Sequence, residues 1–305
     1  MSLAPLRELL SEAQRAGYAI CYCEAWSLES FQAVVEAAEE AEAPIITGFN
    51  GGFLGHPGRR RPERLEYYAG LGMALQDSSV PEAFLLNESD DFSQIERGLE
   101  LGFNAVMVEN ERMGMKEYRA LVKRVVQLAH RSGVFVEAAV GHLADASAET
   151  EAKPTDPAVA RVFVEETGID ALAVAVGNVH ILTQGKAAID LERLEEIHSQ
   201  VKIPLVLHGG TGISLDELPS YIRAGVAKIN FGTTLKQAYL AAIREKLAAY
   251  EEPMSPHPFL GMGGPEDILV AARDAVKAKV KELLTQCGAT GRAASPLAGH
   301  LQQRG

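Results

Sequence analysis

The amino-acid sequence predicts an α/β protein folded as a single (β/α)8 TIM barrel with extra C-terminal helices. Strand-like and helical segments alternate along the chain, and eight strand-like segments can be distinguished. No change of composition divides the chain, and its 305 residues exceed the ~250 that such barrels typically need. An open doubly wound sheet is the alternative, but eight regular repeats favour closure.

The individual elements follow from the spacing of apolar residues. Short apolar runs between turn residues are typical of buried parallel strands, whereas apolar residues three or four positions apart indicate amphipathic helices. Glycines stand where several helices are expected to end, at Gly17, Gly102, Gly133, Gly168 and Gly225. The predicted strands are residues 18–23, 44–48, 83–86, 105–108, 134–136, 171–176, 204–207 and 226–229. The predicted helices include residues 6–16, 28–41, 115–131, 157–167, 235–250 and 265–284.

Two predicted loops, residues 48–62 and 141–155, are longer than the others. Long loops in compact domains often serve as lids or subunit contacts. We assign the barrel domain to residues 1–286. Residues 287–305 are rich in Gly, Ala, Ser and Gln, and we expect them to form a mobile C-terminal tail.

Charge and composition argue against several classes of protein. A net charge of −12 and a pI near 5.2 disfavour a surface for nucleic acid or anionic membranes. The three cysteines have no metal-finger spacing, and no apolar run is long enough to cross a membrane. We therefore expect a soluble, cytoplasmic protein in which any recognition of phosphate is local.

The most informative segment is residues 204–212, Pro-Leu-Val-Leu-His-Gly-Gly-Thr-Gly. An apolar strand here carries His208 to its end, directly before a glycine-rich turn. A histidine can bind a metal, and the exposed N–H groups of a turn can bind an anion such as phosphate. Residues 227–234 repeat this design with Asn230, Gly232 and Thr233. Two consecutive strand ends of this kind predict a pocket at the C-terminal mouth of the barrel.

Polar residues also follow the other predicted strands. Any single one could be a capping or loop residue, but four carboxylates and two histidines on one rim indicate a functional site. The rim residues are Glu24, Trp26, Asn50, Asn87, Glu88, Glu109, Glu137, Asn178, His180, His208, Asn230 and Thr233.

These segments resemble the class II, metal-dependent ketose-bisphosphate aldolases, which include the fructose- and tagatose-bisphosphate enzymes. The resemblance extends from about residue 6 to residue 293 and is strongest in residues 170–180, 204–212 and 227–230. It implies zinc held by three histidines, which polarises the oxygens of dihydroxyacetone phosphate and stabilises an enediolate. It also implies a homodimer or homotetramer.

Two of the family's zinc ligands match His180 and His208. The family's phosphate-binding loops match two glycine- and threonine-containing segments. The residues implied to bind phosphate are Gly209, Gly210, Thr211, Gly212, Asn230, Gly232 and Thr233.

The third predicted strand departs from the family pattern. Where the family has His-Leu-Asp-His, this chain has Leu-Leu-Asn-Glu, ending in Asn87 and Glu88. Asn87 cannot exchange a proton near neutral pH, so the usual acid/base role of the aspartate is lost there. Glu88 can replace the third histidine, and a set of two histidines and one carboxylate suits zinc and also iron or manganese. The alternative is that Glu88 only pairs with a nearby cation and that no metal binds.

Other rim positions also differ from the family. Glu24 stands in place of an asparagine, Asn50 in place of a serine, and Glu109 in place of an aspartate. Because new carboxylates and amides appear, we interpret the site as rebuilt for different chemistry. We expect Glu24, Glu109, Asn87 and Asn50 to be catalytic, with Glu24 and Glu109 as candidate bases.

Further candidates lie in the loops around the predicted pocket. Glu149 and Glu151, in the long loop after the fifth strand, are additional candidates for proton transfer. Trp26 is expected to narrow the pocket and to exclude the second phosphate-bearing half of the family's usual substrate.

The sequence therefore predicts a lyase of carbohydrate metabolism that acts on a phosphorylated ketose or a related keto compound through an enediolate. Epimerisation or isomerisation at the same site is the first alternative. A non-catalytic homologue that binds a sugar phosphate is the second.

Overall fold

A closed barrel of eight parallel strands forms the centre of the protein and confirms the predicted TIM-barrel fold. The computed structural model describes residues 3–109, 113–145 and 152–293. The strands in these ranges are β1 (Ile20–Glu24), β2 (Ile45–Asn50), β3 (Glu82–Ser89), β4 (Ala105–Val108), β5 (Phe135–Val140), β6 (Ala144–Asp145), β7 (Ala171–Val174), β8 (Val179–His180), β9 (Leu205–Leu207) and β10 (Val226–Phe231). The order around the barrel is β1-β10-β9-β7-β5-β4-β3-β2, and β6 and β8 form a separate parallel pair.

Helices cover the outside of the barrel. They are α1 (Leu6–Ala16), α2 (Leu28–Glu40), α3 (Gly51–Leu54), α4 (Leu65–Gly72), α5 (Phe92–Glu100), α6 (Met115–Ala129), α7 (Pro157–Thr167), α8 (Leu191–Gln200), α9 (Leu218–Arg223), α10 (Thr233–Leu247) and α11 (Ile268–Gln286). Every residue of β1, β2, β4, β7, β9 and β10 is buried. This is expected for parallel strands that are covered by helices on one face and by the barrel interior on the other.

The sixth barrel strand is shorter than predicted. Strand β7 ends at Val174, whereas the apolar run continues to Val176. The Asn178 side chain accepts a hydrogen bond from the Val176 N–H (2.9 Å) and donates one to the Val174 carbonyl (3.2 Å). An amide side chain thus replaces the strand ladder, and the chain turns toward β8, which carries His180.

The chain remains packed beyond the end of α11. Cys287 and Ala289 are fully buried, and the Cys287 carbonyl accepts a hydrogen bond from the Ala19 N–H (3.1 Å). The Ala293 N–H donates to the Glu42 carbonyl (2.7 Å). Residues 287–293 therefore pack against the N-terminal end of the barrel, and residues 294–305 lie outside the described part of the chain.

Within the described residues, no helix is long and apolar enough to cross a membrane.

A buried carboxyl group at the start of β3 predicts a pH-dependent stability. Burial raises the pKa of Glu82 from 4.5 to about 8, although the nearby Ser78 side chain opposes this. The folded protein therefore binds this proton more tightly than the unfolded chain, and the free energy of unfolding falls as pH rises from about 4.5 to about 8. We expect Glu82→Gln to have a free energy of unfolding a few kcal/mol above that of the wild type at pH 9, and a similar one at pH 4. Urea unfolding at both pH values measures this difference. Glu8→Gln, at an exposed position on α1, is the matched control. An equal effect at both pH values would contradict the assignment.

Candidate active site

Three predicted metal ligands meet at the mouth of the barrel. Ligand atoms of Glu88, His180 and His208 all lie within 4.8 Å of one another. The His208 Nδ1 is 3.3 Å from the Glu88 Oε1, and the two histidine rings lie 5.7 Å apart between centroids. Two ligands at about 2.1 Å from a tetrahedral zinc ion are themselves roughly 3.4 Å apart, so modest side-chain rotation would close the set around an ion.

Glu88 is directed into this cluster by an irregular backbone. The β3–β4 register shifts between Leu86 and Ser89, and Glu88 itself has a φ of 51°, in the left-handed region. A bulge of this kind redirects a side chain, and a non-glycine residue in this region costs roughly 1–2 kcal/mol. Such local strain is typical of functional sites. The predicted strand ends at residue 86, so the sequence did not predict this irregularity.

Asn50 supports Glu88. Its Nδ2 donates a hydrogen bond to the Glu88 Oε2 (2.5 Å), and its Oδ1 accepts one from the Phe53 N–H (2.9 Å) at the start of α3. Asn50 also pairs with Asn87 in the β2–β3 register. Both polar ends of Asn50 are thus engaged in holding the cluster and the following loop.

The buried ion pair of Glu137 and Lys228 contacts His208 on the side of the ring away from Glu88. The His208 Nε2 is 2.9 Å from the Glu137 Oε1, and the Lys228 Nζ donates to the Glu137 Oε2 at 2.7 Å. Because Nε2 faces Glu137, Nδ1 faces Glu88, which is the orientation that a carboxylate imposes on a metal-binding histidine. Asn178 donates to the His208 carbonyl (3.0 Å), and the Asn230 amide lies 3.0 Å from Nε2.

Lys228 is the residue of this network that sequence reasoning missed. It is fully buried in β10, and its Nζ lies 5.2 Å from the centre of the Tyr22 ring. A lysine inside an apolar strand is the available signal, since a buried ammonium group requires a carboxylate partner. Glu137, on the predicted rim, is that partner.

Opposite charges decide the pKa values in the cluster. Burial lowers the pKa of His208, but Glu137 and Glu88 outweigh it and raise the value to about 9. Burial raises the pKa of Glu88, but His208 and His180 outweigh it and lower the value to about 2. The pKa of Glu137 is lowered, since Lys228 and His208 outweigh its burial. His208 is therefore protonated at neutral pH, and a metal ion would have to displace this proton. Once the proton is lost, the two carboxylates exceed the one lysine, which favours a bound cation.

Glu24 is already paired with a lysine. The Lys236 Nζ lies 2.5 Å from the Glu24 Oε1, and a Cβ atom at Gly232 would lie 2.8 Å from the Glu24 Oε2. Burial raises the pKa of Glu24, and Lys236 opposes this. Glycine at position 232 thus leaves room for the carboxylate of Glu24.

The remaining predicted catalytic residues lie at the ends of β3 and β4. Glu109 follows β4, its N–H donates to the Ser89 carbonyl (3.1 Å), and it lines a cavity together with Glu88 and Asn50. Asn87 is buried, and its Oδ1 has no hydrogen-bond partner within the described part of the chain. Glu149 and Glu151 lie outside the described residues.

The predicted phosphate-binding residues occupy two adjacent strand ends. Residues Gly210–Gly212 form a short 3₁₀ turn after β9, and α10 begins at Thr233, directly after β10. The Thr211 Oγ1 accepts a hydrogen bond from the Thr234 N–H (3.1 Å) and ties the turn to this helix. A helix N-terminus beside a glycine-rich turn presents N–H groups that suit an anion.

Gly209 links this turn to the metal cluster. Its φ is 69°, and a Cβ atom there would lie 2.2 Å from the Val179 carbonyl oxygen in β8. We expect Gly209→Ala to lower both the free energy of unfolding and the metal affinity, because β8 also carries His180. Gly185→Ala is the matched control, since Gly185 has a φ of 86° and open space around it. Denaturant unfolding and metal titration of both variants test this. Equal losses of unfolding free energy in the two variants, of about 1–2 kcal/mol, would show that backbone strain alone causes them. That result would contradict the role of the contact with β8.

The chain is similar in sequence and structure to known class II aldolases. The model of the class-II fructose-bisphosphate aldolase family matches residues 4–292. The YdjI aldolase from Escherichia coli K12 is 30% identical, with a TM-score of 0.79 over 95% of this chain and 99% of that one. A protein from Coccidioides immitis, assigned as a fructose-1,6-bisphosphate aldolase, is 24% identical, with a TM-score of 0.79 over 95% and 98%. The fructose-bisphosphate aldolase of Campylobacter jejuni is 19% identical, with a TM-score of 0.73 over 93% and 94%. The last two show likeness of fold alone.

Proposed function

Because the chain belongs to the class-II fructose-bisphosphate aldolase family, we propose that it is a metal-dependent carbon–carbon lyase acting on a phosphorylated ketose or a related keto compound. The observation that carries this proposal is the cluster of Glu88, His180 and His208, with ligand atoms within 4.8 Å of one another. It lies beside a glycine-rich turn at the mouth of the barrel, where such folds build their active sites.

The donor set fits a divalent ion. Two imidazoles and one carboxylate suit zinc, and manganese or iron is the alternative. The Glu137 carboxylate at the far side of His208 fixes the ring orientation that a metal requires. When bound, the ion would polarise a substrate carbonyl and stabilise the enediolate that forms on carbon–carbon cleavage.

The substrate phosphate is proposed to bind at residues 209–212 and at the start of α10. Glycines there bring the backbone close to a ligand, and the helix dipole favours negative charge at this end. The protein has a net charge of −12, so this local arrangement, and not a long-range field, would hold the anion.

Glu109 is the carboxylate that we propose moves the substrate proton. Asn87 cannot do so, because its amide does not exchange a proton near neutral pH. Glu109 and Glu88 line the same cavity at the rim of the barrel.

We expect Glu109→Gln to slow proton exchange on dihydroxyacetone phosphate by about 10²–10⁴-fold while metal content stays unchanged, because this is the usual contribution of a general base. NMR in heavy water measures the exchange at the hydroxymethyl carbon. Glu117→Gln, at an exposed position on α6, is the matched control. An unchanged rate in Glu109→Gln would shift the role to Glu24.

The reaction itself is tested by following ketose 1-phosphates by NMR with metal-loaded protein. Aldol cleavage releases dihydroxyacetone phosphate and an aldehyde, and this is the result we expect. Epimerisation or isomerisation would give a new ketose or aldose phosphate without release of an aldehyde. Tight metal binding without any turnover of this panel would favour a non-catalytic sugar-phosphate-binding homologue.

A homo-oligomer is also proposed. Several large apolar side chains on α10 and in the segment after it are exposed in the single chain: Leu240, Leu247, Met254, Leu260 and Met262. Apolar surface of this extent is typical of subunit contacts. Sedimentation of the full chain gives the number of subunits.

A further inference from the structure

A cavity beside the candidate active site has four aromatic side chains in its walls. It has a volume of about 460 Å³ and lies between the loops that follow β1 and β2. Glu24 and Asn50 belong to both this cavity and the rim of the site. The four aromatic side chains are Trp26, Phe49, Phe53 and Tyr68. A dry cavity of about 150 Å³ can hold benzene, so this space can take an aryl group and the chain that carries it.

The cationic side chains of this cavity are already paired. Lys236 contacts the Glu24 carboxylate at 2.5 Å, and the Arg59 Nη2 lies 2.6 Å from the Glu63 Oε1. Among the described lining residues, these are the only lysine and arginine. A phosphate group carries about two negative charges at neutral pH and is normally met by free cations. His56 also lines the cavity, but its Nδ1 accepts a hydrogen bond from the Gly58 N–H (3.0 Å). No lysine or arginine of the described lining is therefore left without a carboxylate partner to meet a second substrate phosphate.

Contacts between rings hold the aromatic walls in place. Phe49 packs edge-to-face against Tyr68, with 4.8 Å between ring centroids. Trp26 packs edge-to-face against Tyr239, with 5.4 Å between centroids. Phe53 is the most exposed of the four aromatic residues, at 43% of its surface. The Lys236 Nζ lies over the Phe53 ring at 4.8 Å and over the Trp26 ring at 5.6 Å from their centres, so it takes one face of each. Fixed rings such as Phe49 and Tyr68 offer edges and remaining faces to another aromatic group without ordering on binding.

We propose that this cavity binds the half of the substrate that is released as an aldehyde, and that this half carries an aryl group and no phosphate. This inference depends on the proposed lyase function. In the synthetic direction, a base removes a proton from the hydroxymethyl carbon of dihydroxyacetone phosphate. That carbon bonds to the aldehyde carbon, and the aldehyde oxygen takes up a proton. No oxidant or reductant is needed, and cleavage is the reverse.

Competing aldehydes test the inference in the active enzyme. We expect kcat/KM for condensation of dihydroxyacetone phosphate to be at least ten-fold higher with phenylacetaldehyde than with glyceraldehyde 3-phosphate. Equal or better use of glyceraldehyde 3-phosphate would overturn the inference. Proton exchange on dihydroxyacetone phosphate alone, measured in the same samples, tests the proposed lyase function separately, because it needs no aldehyde.

A binding measurement tests the cavity without any turnover. Trp26 is the only tryptophan of the chain, so its fluorescence reports on ligands in this cavity. We expect a saturable change with 2-phenylethanol and none with glycerol 3-phosphate. No change with 2-phenylethanol would overturn the inference even if proton exchange succeeds. Saturation with 2-phenylethanol in protein without exchange would support the cavity assignment and contradict the lyase function.

Phe53→Ala separates the cavity from general damage. We expect it to weaken 2-phenylethanol binding at least five-fold. We also expect kcat/KM for phenylacetaldehyde to fall by a larger factor than the rate of proton exchange on dihydroxyacetone phosphate. Tyr67→Ala is the matched control, because Tyr67 is 66% exposed and does not line the cavity. Unchanged 2-phenylethanol binding in Phe53→Ala would overturn the inference.

Discussion

Replacing His208 with alanine is expected to abolish stoichiometric metal binding and to slow proton exchange on dihydroxyacetone phosphate at least 10³-fold. His208 supplies one of three ligands, and it is the ligand that Glu137 holds from behind at 2.9 Å. A loss of 10³ corresponds to about 4 kcal/mol of transition-state stabilisation, which is within the range that a metal ion supplies. Metal content after dialysis and NMR exchange in heavy water are the two measurements.

The control for this substitution is His257→Ala. His257 is exposed, lies in the segment after α10 and does not belong to the cluster of metal ligands. It should keep both metal and exchange. A His208→Ala protein that still binds one equivalent of metal at wild-type affinity would contradict the ligand assignment, and one with wild-type exchange would contradict the proposed function.

Replacing Glu137 with leucine is expected to lower the free energy of unfolding by about 3–5 kcal/mol. The substitution leaves the Lys228 ammonium group buried without its carboxylate, which lies 2.7 Å away. Removing one partner of a buried ion pair is costly because the remaining charge is uncompensated. Urea unfolding of the metal-free protein measures this loss.

The double variant Glu137→Leu/Lys228→Met separates stability from metal binding. We expect it to recover most of the unfolding free energy, since no buried charge is left alone. Metal affinity should remain 10–100-fold below the wild type, because His208 has lost the group that orients it. Full recovery of metal affinity in the double variant would show that Glu137 serves the fold and does not orient the ligand.

Local patterns were sufficient to predict the barrel. Each barrel strand is buried under helices and is therefore an apolar run, and several helices end at glycines such as Gly17 and Gly168, both in the left-handed conformation. Because all strands of a parallel barrel end at the same face, the polar residues that follow them lie on the C-terminal rim. This topology brings Glu88, His180 and His208 together although 120 residues separate the first from the last.

The contacts that give each rim residue its role could not be predicted in the same way. The register shift that redirects Glu88 follows Leu86, where the apolar run of β3 ends, so the run did not predict it. The partners of Glu24 and Glu137 are Lys236 and Lys228, which are 212 and 91 positions away. Pairings over such distances depend on the closed sheet, in which β1 lies next to β10.

Solvent exchange at the hydroxymethyl carbon of dihydroxyacetone phosphate is the measurement that tests the metal-dependent enediolate chemistry most directly. It requires the metal ligands, the phosphate site and the base together, and it does not require knowledge of the aldehyde. We predict exchange in metal-loaded protein, its loss with a chelator, and its return when zinc, manganese or iron is added. Absence of exchange in protein shown to carry one metal per chain would contradict the proposed function.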